Sequence, residues 1–407
     1  MAWRRMLRRH HTQAGSRVSR LYFIEPDFIE PGSDIEDGMK EIVSRALRGL
    51  MLVALLTTQS AEGGDKFKVE TVLQYLDQPW SMAFLPDGGL LVTQKTGDLL
   101  RINLEKQRFT VVKGAPESVV HGQGGLLDVM LHPDFESNHW IYLTFTQKKQ
   151  NGYTTALARG RLEGDTLAGT KILLSARAVS GEGQHFGSRM AFDDQGLLYM
   201  TIGDRGDRRN AQNLQSHAGK VLCLTEDGAA APGNPFLNRA DALPEIFSYG
   251  HRNPQGLTYD SVSQRLWLHE HGPKGGDEVN LVQAGKNYGW PLVTYGKEYW
   301  GGTISEQTEA PGVEKPVWYW DPSIAPSGMA VYRGDMFPQW RGDLLVGALK
   351  FQLLARVEMN EARAQKEERF LQERKSRIRD VRVGPDGAVY VLTDGSNAEL
   401  LRLSPAD

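Results

Sequence analysis

Cysteine is almost missing from this chain. Cys223 is the single thiol in 407 residues, so no intrachain disulfide can form, which neither demands nor excludes an exported protein. No Cys/His set stands at zinc spacing, which leaves a hard, oxygen-liganded cation as the metal class the remaining donors suit. No charge of one sign dominates either. The 47 Lys/Arg and 50 Asp/Glu give a net charge of −3, scattered along the chain, which argues against nucleic acid as the main partner. The apolar run Leu50–Leu56 is too short to span a bilayer, so no stable membrane insertion is expected. A helical period is also wanting, apart from the charged stretch at 360–376. Its words NEARAQKEERFLQERK read as an exposed hairpin or short helix on a rim, with solvated charges.

Glycine is in excess: 44 residues of 407, about 11% where about 7% is usual. Many tight turns and an all-β fold would account for it. An internal repeat supports that reading. PWSMAFLPDGGLLVTQKTGDLLRIN (79–103), GGLLDVMLHPDFESNHWIYLTFT (124–146), FGSRMAFDDQGLLYMTIGD (186–204) and NPQGLTYDSVSQRLWLHEHG (253–272) share one layout. So do PSGMAVYRGDMFPQWRGDLLVGAL (326–349) and IRDVRVGPDGAVYVLTD (378–394). Each has a short apolar strand, a turn carrying Asp, Gly or Pro, then a second apolar strand. Turns near 87, 134, 194, 261, 335 and 386 mark six units at the spacing of four-stranded blades. The chain is therefore expected to be all-β, a six-bladed β-propeller over residues 67–407.

The richest chemistry lies between Tyr249 and Trp290, in YGHRNPQGLTYD and HEHGPKGGDEVNLVQAGKNYGW. Arg252, Asn253, Gln255 and Asp277 are costly to gather unless something polar binds there, and loops on a β scaffold are where binding chemistry usually sits. The surrounding glycines free backbone carbonyls and amides to act as ligands. For Asp277 and Glu278 the ordinary alternative is a pair of solvated loop acids. His185 opens the third unit in GQHFGSRM, and a histidine is the usual group for taking a hydroxyl proton near neutral pH. A half-buried structural histidine is an even alternative. Arg252, Lys350, Arg377 and Arg379 come from three units. They would match a small polyanion if they converged, and ordinary solvated surface if they did not.

These words also resemble the soluble quinoprotein sugar dehydrogenases, of the periplasmic aldose sugar dehydrogenase type. GHRNPQG, EHGPKGGDE and GKNYGWP carry the similarity, with HGQGGLLDVMLHPDF at 121–135, QHFGSRMAF at 184–192, GALK at 347–350 and RIRDVRVGPDG at 377–387, in the family's order. The resemblance implies oxidation of an aldose at its anomeric hydroxyl to a lactone, with pyrroloquinoline quinone (PQQ) and calcium as cofactors and an unidentified electron acceptor. It implies His185 as the proton acceptor. It assigns Gln123, Arg252, Asn253, Asp277, Tyr299, Ala348, Leu349, Lys350, Arg377, Ile378 and Arg379 to the cofactor. Calcium falls to the Gly272 and Pro273 carbonyls, and a further calcium to Glu278 and Tyr288. Departures are His271 in EHGP, Arg205 in GDRG and Ser323 where a threonine is expected. With shorter loops between units, they point to a shallower, less selective sugar pocket. The other readings are an exported propeller that binds without catalysing and a calcium-dependent lactone hydrolase.

Residues 39–61, MKEIVSRALRGLMLVALLTTQSA, have the layout of a secretory signal peptide. The expectation is a reading frame that starts at Met39, with residues 1–38 an over-extension, and a periplasmic or otherwise exported monomer that lacks residues 1–60 and whose folded unit begins near Phe67.

Overall fold

The computed structural model describes residues 57–59 and 67–406. The expectations for 1–38 and for most of 39–61 fall outside the described residues. Within the latter, the backbone of Thr57–Gln59 pairs antiparallel with the strand Phe67–Leu76.

Six small antiparallel sheets form a six-bladed β-propeller. Blade one comprises Pro79–Phe84, Gly89–Gln94, Leu99–Asn103 and Arg108–Val112. Blade two runs from Leu126–Leu131 through Trp140–Lys149 and Gly152–Glu163 to Thr166–Ser175. Blade three has Met190–Phe192, Leu198–Ile202, Lys220–Leu224 and Ile246–Tyr249. Blade four has Pro254–Asp260, Arg265–Glu270, Asp277–Val282 and Trp318–Trp320. Blade five has Pro326–Val331, Leu344–Ala348, Leu353–Asn360 and Arg363–Phe370. Blade six takes Ile378–Val383, Val389–Thr393 and Ala398–Pro405 from the chain's end and closes on Phe67–Leu76 from near its start. The stretch after 360 is the hairpin alternative, the outer strand of blade five.

The second strands, such as Gly89–Gln94 and Val389–Thr393, are buried almost throughout. A blade is covered on both faces by its neighbours, so these strands read as continuous apolar runs without alternation. Six apolar clusters fill the six gaps between adjacent blades. Outer strands pay less attention to hydrophobicity: Arg108–Val112 is exposed at all but its last residue.

The first strand of each blade faces the axis, and those strands contact one another in a closed ring. In five blades this strand starts with a register shift: between Pro79 and Ser81, Leu126 and Val129, Pro254 and Gly256, Pro326 and Met329, and Ile378 and Asp380. Such a bulge re-aims the side chain inside it. Below the bulges the axis is closed by charge. Arg189 bridges Asp128 at 3.3 Å and Asp380 at 2.9 Å, and donates from Nε to the Gln255 carbonyl. Arg382 reaches the same two acids at 3.4 and 3.3 Å. Ser81 Oγ and the Met190 amide donate to Asp128, and the Met82 amide to Asp380.

Breaking a buried pair leaves an uncompensated charge, so Asp128→Ala should lower stability by about 3–5 kcal/mol. Urea unfolding checks this; a loss below about 1 kcal/mol would show that the network is not the axial clamp.

Candidate active site

A cavity of about 450 Å³ opens on the axis at the end where the first strands begin. Its apolar walls are Trp80, Leu127, Phe186 and Leu349, and its polar groups include Gln123, Asn253 and Gln255. Trp80, Leu127, Gln255 and Arg379 all lie inside the bulges, which is how the fold aims them here. Lys95, Arg377 and Arg379 bring three cations, and Asp394 is the one acid of the lining. Asp394 accepts from Arg377 Nε at 2.9 Å and Arg379 Nε at 3.0 Å. Burial alone would raise the Asp394 carboxyl, but the two guanidiniums outweigh it and hold it below the usual range.

His185 stands at the edge of this cavity, beside the lining residues Phe186 and Gly187, and is 7% exposed. Its backbone is left-handed, φ 55°, a conformation that non-glycine residues adopt only when their surroundings over-determine it. Three contacts do so. The His185 amide donates to Gln123 Oε1 at 2.8 Å. The backbone at Gly203 packs so closely on His185 that any Cβ there would collide with its carbonyl. Arg205 donates to the carbonyls of Gln184 and Glu182 and stacks 3.6 Å from the Phe186 ring. The arginine that departs from the family's GDQG word therefore pins the histidine loop, and burial lowers its own pKa to about 10.

The His185 ring places Nδ1 2.6 Å from Asp204 Oδ1. Burial lowers the imidazole pKa from its ordinary value, Arg252 adds to this, and the Asp204 carboxylate opposes it. Burial would raise Asp204, but His185, the Gly206 amide and Arg252 together keep it ionised below the usual range. Trp290 Nε1 donates to its other oxygen at 2.8 Å. A neutral ring beside an ionised acid carries its proton on Nδ1 and leaves Nε2 as an acceptor. That is the arrangement of a general base with an orienting carboxylate.

The other expected residues divide. Gln123, Asn253, Leu349, Arg377 and Arg379 line the cavity. Arg252 borders a smaller adjoining cavity, donates to the His271 carbonyl at 3.2 Å and has no carboxylate in ion-pair contact among the described residues. Ala348 and Ile378 turn their side chains into apolar clusters. Lys350 is exposed and outside the lining, and so is Tyr299, at 69% exposure. Asp277 accepts from the Gly272 and Ala325 amides and from Ser323 Oγ, so its carboxylate shapes the GP loop. Its burial raises its pKa to about 6. Pro273's carbonyl already accepts two amides, from Gly275 and Lys297. Tyr288 spends its hydroxyl on Leu281 and Gln283. Glu278 lies opposite Glu270 on the neighbouring strand, and burial with that like charge raises it well above the usual range. Among the described residues no three His, Cys, Asp or Glu side chains form a metal-holding group.

A family model for glucose/sorbosone dehydrogenase matches residues 76–402. The chain belongs to that family of oxidoreductases. It is 44% identical to the aldose sugar dehydrogenase YliI of Escherichia coli over 343 residues, 83% of this chain and 92% of that protein. The crystal structure of the soluble aldose sugar dehydrogenase from Escherichia coli in its apo form superposes with a TM-score of 0.81 at 42% identity, covering 84% of this chain and all of that one. The PQQ-bound aldose sugar dehydrogenase of Streptomyces coelicolor gives 0.68 at 27% identity, over 86% of this chain and 99% of that one.

Because His185 must be neutral to accept a proton, the acid limb of kcat/KM should rise with pH through a midpoint below the free-imidazole value of about 6.5. Asp204→Asn removes the group that raises this pKa. The midpoint should move further to acid while turnover falls about 10²–10⁴-fold. An unchanged pH–rate profile in Asp204→Asn would refute the dyad.

Proposed function

We propose that this protein oxidises aldoses at the anomeric hydroxyl to lactones, using PQQ and calcium and passing electrons to an acceptor outside the chain. The observation that carries the reading is a neutral His185 oriented by ionised Asp204 at the edge of a cavity with three cations to one carboxylate. Apolar walls and surplus positive charge fit a planar tricarboxylate such as PQQ. The cross-strand acids Glu270 and Glu278, with the Gly272 backbone beside them in the smaller cavity, fit a hard cation. Bound in the larger and the smaller cavity respectively, PQQ would supply the hydride acceptor and calcium a Lewis acid.

The chain's own residues do the rest. Arg377, Arg379 and Lys95 hold carboxylates, and Asp394 keeps the two arginines in position. Trp80 and Phe186, each backed by a guanidinium, from Arg189 and Arg205, supply the aromatic part of the wall. His185 Nε2 takes the proton of the anomeric hydroxyl, and Asp204 stabilises the imidazolium that results. The signal-like run at 39–61 supports an exported, periplasmic enzyme.

Supplied with PQQ and calcium, the purified protein should reduce an artificial dye when given aldoses. His185→Gln should bind PQQ as before and turn over about 10²–10⁴-fold more slowly. Arg379→Ala should instead weaken PQQ binding by roughly 2–5 kcal/mol, read from a spectroscopic titration. Substantial activity in His185→Gln, or activity with a nicotinamide in place of PQQ, would overturn the proposal.

A further inference from the structure

Trp300 is the most exposed large apolar side chain among the described residues, at 82%. It sits at the tip of a small hairpin in the long excursion of blade four. Lys297 and Thr303 pair across the hairpin, and the Glu298 amide donates to the Gly302 carbonyl. An indole this exposed would ordinarily be free to turn, but here it has a seat. Three atoms of its six-membered ring lie where a Cβ on Gly302 would be, so one part of the ring rests on bare backbone. Only glycine permits that contact. The remainder of the ring faces solvent.

The hairpin is tied to the catalytic groups from two sides. The Lys297 amide donates to the Pro273 carbonyl at 3.1 Å, two residues from His271 in the cavity wall. Glu298 pairs with Arg208 at 2.8 Å. The Arg208 guanidinium lies 5.6 Å from the Trp290 ring, and Trp290 holds Asp204. Trp300 lies three residues along the chain from that contact, on the turn closed by the Gly301 amide donating to the Glu298 carbonyl.

We propose that Trp300 is a stacking platform for the sugar rings beyond the one that reacts, so that this enzyme selects the reducing ends of oligosaccharides over free monosaccharides. The inference rests on the sugar-oxidising reading above. A pyranose offers a flat face of C–H groups that suits an aromatic surface, and its hydroxyls require polar neighbours. Glu298 stands on the same hairpin, and the Lys274 ammonium lies near Gly301. A protein partner would call instead for a contiguous apolar patch around the indole. The immediate neighbours here are glycine, lysine and glutamate, with Tyr299 the one other apolar group at the tip.

The test compares glucose with maltotriose on the PQQ- and calcium-loaded protein. Wild type should show a KM for maltotriose roughly five- to tenfold below that for glucose, the worth of one aromatic stack. In Trp300→Ala the ratio of the two KM values should fall towards one with kcat for maltotriose retained, and Trp300→Phe should restore most of the ratio. Calorimetric titration of maltotriose into the protein should show the same order of affinities. Absence of sugar oxidation altogether would strike the proposed function. Glucose oxidation with equal KM values in wild type and Trp300→Ala, and no difference in titration, would overturn the platform alone.

Discussion

A guanidinium buried on the propeller axis is the constraint on which the remaining geometry depends. Arg189 is 1% exposed, and its two acid partners, Asp128 and Asp380, are fully buried. An isolated ion at that depth would be prohibitive. The cost is met because two acids face two arginines and the acids also receive backbone N–H groups. The partners come from different blades: Asp128 from the second, Arg189 from the approach to the third, Asp380 and Arg382 from the sixth. The pairing therefore sets how the first strands are rotated about the axis, which apolar clusters between blades do not specify, since dispersion has no direction. Arg189 also lies four residues after His185. The histidine loop is thus anchored at one end on the axis and at the other by Arg205 and Gln123, and this permits His185 to keep a left-handed backbone.

Above the clamp, charge is arranged to wait for an anion. Arg377 and Arg379 are two residues apart and grip one carboxylate, Asp394, so their planar groups are oriented before any ligand arrives. Pre-orientation removes part of the rotamer entropy that binding would otherwise cost, about 0.5–1.5 kcal/mol for each long side chain held still. Asp394 offsets only one of the three cavity cations. Polyanionic ligands therefore find both an ordered site and an unsatisfied field.

Much of this was legible in the sequence. The six turns marked the six first hairpins, because every blade needs one tight connection between two apolar strands. The motifs point to His185, Gln123, Asn253, Arg377 and Arg379, and the fold brings these five to one cavity or its edge. No motif points to Lys95, Asp204 and Asp394, which the fold places with them, although a positional signal exists. The residue after the second strand of a blade recurs at the site: Lys95, His271, Leu349 and Asp394 line the cavity, and Asp204 follows the second strand of blade three by one further residue. Strand ends share one face of the propeller, so equivalent repeat positions converge there even when their residue types differ. Motif reading treats each word alone and cannot see that. Asp277 shows the opposite case. Its charge reads as a ligand in sequence, but the carboxylate accepts from the Gly272 amide of the glycine-rich loop and, across the fold, from Ser323 Oγ and the Ala325 amide on the approach to blade five, partners that no single motif contains.

The field that would attract an anion also bears on His185, the proposed base. Arg252 and Arg205 both act against a proton on His185, and burial acts in the same direction. Left to these influences, the imidazole would be too weak a base to take a hydroxyl proton. Asp204 offsets them, and its reach is local because it touches Nδ1 directly, whereas the arginines act through space. A cationic pocket can then coexist with a competent base only if the base carries its own buried anion. That anion must in turn be held away from the cavity cations. Trp290 Nε1, the Gly206 amide and His185 occupy its oxygens, which leaves the carboxylate facing the imidazole while Arg377 and Arg379 are held by Asp394. Two acids, one for His185 and one for the arginines, would keep the proposed proton-accepting and anion-binding halves of the site from neutralising each other.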